Sequence, residues 1–313
     1  MVPLIIDFSQ RLDAALSHFD DTISQLDALL ADKRSPQEIV LLACARLDSL
    51  ANLAYGGQPS SRKAFRQFVS EYSGQKGFFN SLSAGDLYRY FQHYGDLAVG
   101  GLIQTPGRIH RFGPESDEFL AFVQDSGIPV TGDSIQRIAH RVASALQSSF
   151  RVKPRQSLSK PYMDAKAAIS ATIAKEFRSP PAARIVSALD EVLDKFKASA
   201  ILYDRYRNRA IHGFRVGLDS AEFFDKAMPF HGEFIYYAGT VFQLEFPGHY
   251  LRNLLSTSLG KYRAELLNTR KLPFDLLLAM FSFEELLEGE VMELLADDAL
   301  EDFEEVRWRL RTR

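Results

Sequence analysis

Tyr203-Asp204-Arg205-Tyr206-Arg207-Asn208-Arg209-Ala210-Ile211-His212-Gly213-Phe214 is the stretch from which the rest of this chain can be read. It sets three arginines, two tyrosines, an asparagine and a histidine within a dozen residues. Arginine carries a permanent charge in a planar fork that matches phosphate oxygens. Histidine is the side chain most ready to move a proton near neutral pH. Such a mixture suits work on a phosphate.

Spacing narrows the set to Arg207, Asn208 and His212. On an ideal α-helix, residues four apart lie about 40° from each other around the axis, and residues five apart about 140°. Asn208 and His212 then share a face, while Arg207 needs a curled side chain or a second subunit to join them. Gly213 lets the chain leave the helix in a left-handed conformation. A plainer reading stands beside this one. Arg205, Arg207 and Arg209 can be surface charges, and His212 a cation at a helix C-terminus, where the dipole favours it by ~0.3–1 kcal/mol. That reading accounts for the arginines but not for Asn208 and His212 at a four-residue step.

The remaining composition sets bounds. The chain has 313 residues, 46% hydrophobic and 25% charged, enough to bury a core in one large domain or two smaller ones. A net charge of −3 gives no global basic field, so any nucleic-acid contact must be a local patch. One cysteine, Cys44, excludes an internal disulfide and a cysteine-rich metal site. Met1 to Phe8 lacks the charged-then-apolar build of a signal peptide, and no apolar run approaches the ~20 residues of a membrane span. A cytoplasmic protein is expected.

Apolar periodicity predicts a mainly α fold. A helix is expected over residues 8–31, carrying Leu12, Ala15, Leu16, Phe19, Ile23, Leu26, Leu29 and Leu30. Ser35-Pro36 opens a second, to about Tyr55, with serine as cap and proline in the first turn. A third carries Phe65, Phe68, Val69 and Tyr72, and a fourth runs from Asp86 to about Leu102. Further helices are expected over 115–125, 133–150, 162–178, 182–200, 249–267 and 274–281, with a short one opened by Asp219 or Ser220. Glu233 to Phe246, aromatic and β-branched, reads as a short β-hairpin. Arg151 to Pro161 is the most basic segment and reads as an exposed linker, with a phosphate-contacting arm as its sharper alternative. From Ser282 the chain turns acidic and closes on Arg307, Arg309, Arg311 and Arg313. The division that follows is 1–104 for the first helices of a bundle, 105–180 for a helical insertion and basic linker, 181–281 for the motif-bearing helices, and 282–313 for an acidic helix or tail.

Other polar residues are weaker candidates. His231, with Glu233 two residues on, and His249 lack metal-ligand spacing and read as structural or surface histidines, as do His110 and His140. No glycine-rich phosphate loop is present, and no metal or cofactor is expected. Asp48 lies inside an apolar helix, where a carboxylate needs a partner, and an arginine of the motif is a plausible one. Asp86-Leu87-Tyr88-Arg89-Tyr90 and Leu202-Tyr203-Asp204-Arg205-Tyr206 echo each other, and each precedes a histidine, His93 or His212.

Arg207-Asn208-Arg209-Ala210-Ile211-His212-Gly213 resembles the signature of the HEPN superfamily, the higher eukaryotes and prokaryotes nucleotide-binding domain. That signature is an arginine, a polar residue, three variable residues and a histidine. Leu41 to Tyr72 is also similar to the early helices of small HEPN proteins, and residues 105–180 would be an insertion in a minimal HEPN-like helical bundle. The resemblance implies a metal-independent endoribonuclease, of the kind found in toxin–antitoxin, CRISPR-linked and anti-phage systems. In it, the RNA 2′-hydroxyl attacks the adjacent phosphate. His212 would be general acid or base, Arg207 would stabilise the developing charge, and Asn208 would position the histidine or the phosphate. Arg205 and Arg209 would help to grip the substrate, and Asp48 would be a support. Such sites are usually composite across a homodimer, which removes the 140° difficulty. An antitoxin or another defence-system protein is an implied partner. One subfamily is controlled by nucleotidylation of a tyrosine two residues after the histidine. Phe214 stands there and has no hydroxyl to modify.

Two alternatives remain. One is a non-catalytic HEPN-like module that binds nucleotide or RNA, or dimerises, towards which the net charge and the acidic tail lean. The other is a helical interaction protein in which the cluster is structural.

Overall fold

The computed structural model describes residues 8–33, 35–55, 60–97, 121, 124, 127, 131–149, 159–176, 189–208, 210, 222–236 and 239–271. These are mostly helical, with two antiparallel two-stranded ribbons. The chain divides into two compact units. The first comprises Met1–Gln75, Arg207–Asp219 and Leu251–Arg313, and the second Lys76–Tyr206 and Ser220–Tyr250.

Among the described residues the first unit is built from three consecutive helices, α1 (Phe8–Asp32), α2 (Pro36–Tyr55) and α3 (Ser61–Tyr72), together with Leu251 onward of a long last described helix (Gly248–Thr269). Ser35 caps α2 as expected, its Oγ accepting the Glu38 N–H at 3.2 Å, and Pro36 occupies the first helical position. Leu12, Leu16, Phe19, Thr22, Leu26 and Leu30 of α1 are buried at three- and four-residue steps. The buried face of α2 is wider than the expected stripe. It adds Val40, Cys44, Asp48 and Ala51, because α2 packs against both α1 and α3. The last helix buries Leu251, Leu255, Leu259, Tyr262 and Leu266, and Tyr262 meets the rings of Phe68 and Tyr72 edge-on at 5.9 and 5.4 Å. It runs antiparallel to α1. Arg252 forks onto Asp27 at 2.8 and 2.7 Å, and Arg263 reaches Asp20 at 2.6 Å and Asp13 at 3.6 Å. Those aspartates recur every seventh residue, on one stripe. They are half or more exposed, so each pair contributes about 0–1 kcal/mol and sets register more than stability.

The second unit has its own core. Helix α5 (Ala84–Leu97) follows a single turn, α4 (Lys76–Phe79), and a two-residue strand, β1 (Leu82–Ser83). Leu87 and Phe91 of α5 pack with Ile138, Ala139, Val142 and Ala143 of α6 (Gly132–Ser149), with Ala165, Ile169 and Ile173 of α7 (Tyr162–Glu176), and with Leu189 and Leu193. β1 pairs with β2 (Ser159–Lys160), Leu82 opposite Lys160. On its other side the chain bonds the segment before α8 (Ala198–Ile201), through Ser83 N–H to Phe196 O at 2.9 Å and Ala198 N–H to Ser81 O at 3.0 Å. A short helix, α9 (Glu222–Asp225), precedes the hairpin of β3 (Phe230–Tyr236) and β4 (Gly239–Glu245), in register from Phe230 opposite Glu245 to Tyr236 opposite Gly239. The last helix, α10, is the Gly248–Thr269 segment already described, and its first three residues belong to this unit.

The mainly α class and the hairpin agree with the sequence reading. The second compact unit begins at Lys76, and within it α5 buries its apolar stripe on α6 and α7. Of the expected helix at 115–125 the structure describes Ala121 and Gln124, both helical, while the expected helices at 274–281 and beyond 282, the linker 151–158 and the cap at Asp219 or Ser220 lie outside the described residues.

One close approach fixes the seat of the hairpin. A β-carbon on Gly85, in the first turn of α5, would stand 2.8 Å from the Phe242 carbonyl oxygen. Glycine to alanine in a helix ordinarily gains about 0.5–1 kcal/mol. Here Gly85→Ala is expected to lose ~1–3 kcal/mol, because backbone must move to admit it. A lowered urea midpoint checks this, and a raised one would show that the contact gives way.

Candidate active site around Arg207

The motif does not lie on one ideal α-helix. After α8, residues Leu202–Arg207 are wound as a π-helix, and α-helical bonding resumes at Asn208 and Ala210. Short π-turns are uncommon and recur at functional sites. Here the wider turn coincides with three consecutive polar side chains, Arg205, Tyr206 and Arg207, that are each hydrogen-bonded to a different acid. The assumption of a single α-helix for the stretch therefore fails over its first half.

Arg207 belongs to the first unit, as does Asp48 of α2. Arg207 Nη2 donates to Asp48 Oδ2 at 2.7 Å, and Nη1 donates to Asn208 Oδ1 at 3.0 Å. The Arg207 and Asp48 side chains are 14% and 12% exposed, so solvent screens the pair weakly. The buried-face spacing Val40, Cys44, Asp48 places the carboxylate one turn beyond Cys44. Burial, and then the Asp48 charge, push the Cys44 thiol up to about 12, against the pull of Arg207. Cys44 therefore stays a neutral thiol and is no nucleophile. Asp48 Oδ1 is buried with no hydrogen-bond partner among the described residues.

Arg205 sits elsewhere. It lies in the second unit, where Nη2 bonds Asp86 Oδ1 and Nη1 donates to the Leu244 carbonyl at 2.9 Å. Burial works against its charge, but the neighbouring Asp86 carboxylate outweighs it and holds the guanidinium above its usual range. Both of its terminal nitrogens are thus bonded within the protein. The two echoing stretches thus meet at Asp86 and Arg205. Arg209 and His212 lie outside the described residues.

Sequence reasoning passed over the polar chain around Arg205. Asp86 Oδ2 accepts the Ser83 hydroxyl at 2.6 Å and the Leu244 N–H at 2.9 Å. Ser83-Ala84-Gly85-Asp86 has the Ser-x-x-acid spacing of a capping box, and the Asp86 N–H returns to Ser83 Oγ at 3.4 Å. That spacing was the available signal. His231 lies 2.9 Å from Ser83 Oγ, which makes it structural. Tyr206 donates to Glu245 and accepts the Phe246 N–H at 3.1 Å.

Comparison with known protein families, curated proteins and solved structures found no match to this chain.

Removing one partner of a poorly solvated ion pair leaves the other uncompensated. Asp48→Ala is expected to cost ~3–5 kcal/mol, and the double variant Asp48→Leu with Arg207→Met distinctly less than Asp48→Ala alone. Denaturant unfolding of the variants checks this. A loss under ~1 kcal/mol in Asp48→Ala would mean that water reaches Arg207 freely.

Proposed function

We propose that this chain is a metal-independent endoribonuclease of the HEPN type, acting as a toxin or anti-phage defence effector. The observation that carries the reading is the Arg207-Asn208-x-x-x-His212 pattern at the end of a π-turn, with its arginine anchored on Asp48 and bonded to its own neighbour Asn208. An anchored guanidinium supports transition-state stabilisation, because little of its ordering is left to occur when charge develops on the phosphate. In the proposed reaction the RNA 2′-oxygen bonds to phosphorus and the phosphorus–5′-oxygen bond breaks. His212 takes the 2′ proton or supplies one to the leaving oxygen, Arg207 meets the charge on the phosphoryl oxygens, and Asn208 orients its neighbours. Arg209 remains a candidate for gripping the strand. A second copy of the chain would complete the site, and an antitoxin or another defence protein would restrain it. Among the described residues, no helix is long and apolar enough to cross a membrane.

A second reading has its own support. Arg207 is engaged by Asp48 and Asn208, and the net charge is −3. Both features suit a HEPN-like module that binds nucleotide or RNA, or dimerises, without breaking a bond.

The test is cleavage of RNA in chelator by the parent chain, His212→Ala and Arg207→Lys. Lysine keeps a charge for Asp48 but loses the planar fork. Each variant is expected to lose at least about 100-fold in rate, with its helical circular dichroism unchanged. Undiminished cleavage by both would remove the nuclease assignment. Binding by the parent without turnover would select the second reading.

A further inference from the structure

The second unit encloses a polar chain that neither reading of the motif uses. Its members are Ser83, Asp86 of α5, Arg205 and Tyr206 of the π-turn, His231 of β3 and Glu245 of β4. Two of them are carboxylates and one is a guanidinium. Asp86 takes that cation, along with the Ser83 hydroxyl and the Leu244 N–H. Arg205 spends its other terminal nitrogen on the Leu244 carbonyl at 2.9 Å. Glu245 is 4% exposed, and its hydrogen-bond donor among the described residues is the hydroxyl of Tyr206. A carboxylate buried without a directly bonded cation favours its neutral form. The imidazole is neutral for a parallel reason. Ser83 has one hydroxyl hydrogen, which goes to Asp86, so Ser83 Oγ accepts from His231 Nε2–H at 2.9 Å. A second proton on that ring would add a cation beside Arg205.

We propose that Glu245 is held as the neutral acid in the folded protein, so that the attachment of β4 to Tyr206 is a proton-sensitive contact. The groups facing Glu245 are Tyr206 and Arg205 from the π-turn and Asp86 from α5. Burial makes the largest contribution and, with Asp86, raises the carboxyl to about 7, against the Tyr206 bond and Arg205. Burial lowers His231 to about 4, with Arg205 adding to it and Asp86 opposing.

The two shifts act in opposite senses on stability. Glu245 is raised from 4.5, so its contribution is full below about pH 4.5 and is lost as pH rises through about 7. His231 is lowered from 6.5, so its contribution is full above about pH 6.5 and is lost as pH falls through about 4. Between about pH 4.5 and 6.5 the folded chain holds on Glu245 the proton that the unfolded chain holds on His231, and the two effects cancel. Folding therefore moves a proton from an imidazole to a carboxyl, and the compensation conceals it in the parent protein.

Glu245→Gln keeps the shape of the protonated side chain and removes its titration. Urea unfolding of the full chain and this variant is measured from about pH 5 to about pH 8.5. The ratio of their unfolding constants, variant over parent, is expected to fall about tenfold per pH unit up to about pH 7 and then level. A ratio independent of pH over that range overturns the proposal. The parent alone gives a second readout. Its infrared spectrum should hold a protonated-carboxyl band at about pH 6 that has gone by about pH 8, and a spectrum without the band overturns the proposal even if Glu245→Gln does not fold. Neither measurement depends on RNA cleavage, so the proposal stands or falls apart from the nuclease reading.

Discussion

A guanidinium taken out of water has to find a carboxylate, and the middle of this chain places two of them two residues apart. Arg205 ends on Asp86 and Arg207 on Asp48, while Tyr206 between them ends on Glu245. An α-helical turn spreads three consecutive side chains by about 100° per residue. The π-turn at Leu202–Arg207 departs from that spacing at the point where all three polar groups must be satisfied. The chain passes from the second compact unit to the first between Tyr206 and Arg207, so the residues of one turn serve two separate cores. Leaving either guanidinium unpaired would cost on the order of several kcal/mol, as an unmet buried charge does.

The order of elements gives the first unit a simple plan. Among the described residues three helices lead, the motif follows after a long excursion, and α10 runs antiparallel to α1. The excursion supplies a second core of its own, with α5, α6 and α7 around Leu87, Phe91, Val142 and Ile169. Arg207 is thus held by a carboxylate from a helix far earlier in the chain, and it in turn bonds Asn208. That arrangement suits a reactive arginine, whose direction is better set by a buried partner than by solvent. It suits a structural arginine equally well, and chemistry at His212 is what separates the two.

Much of the fold was legible because apolar periodicity is a local signal. The stripes of α1 and α3, the Ser35-Pro36 start of α2 and the aromatic hairpin all follow from neighbouring residues. Asp48 was legible for a related reason, since a carboxylate in an apolar stripe needs a cation and the motif offers several. The rest depends on contacts distant in sequence. That α5 joins α6 and α7, that Leu82–Ser83 pairs with Ser159–Lys160, and that Arg205 meets Asp86 cannot be read from period or composition. The π-turn was hidden as well, because its residues have ordinary helical periodicity. Arg205 looked like a free cation because its partner lies 119 residues away.

The central claim is that Arg207 and His212 serve transesterification on RNA, and the chemistry of the cut ends tests it most directly. RNA treated with the purified chain in chelator should carry 2′,3′-cyclic phosphate at one end and a 5′-hydroxyl at the other. Ends bearing a 3′-hydroxyl and a 5′-phosphate, which require water rather than the 2′-oxygen as nucleophile, would contradict the account.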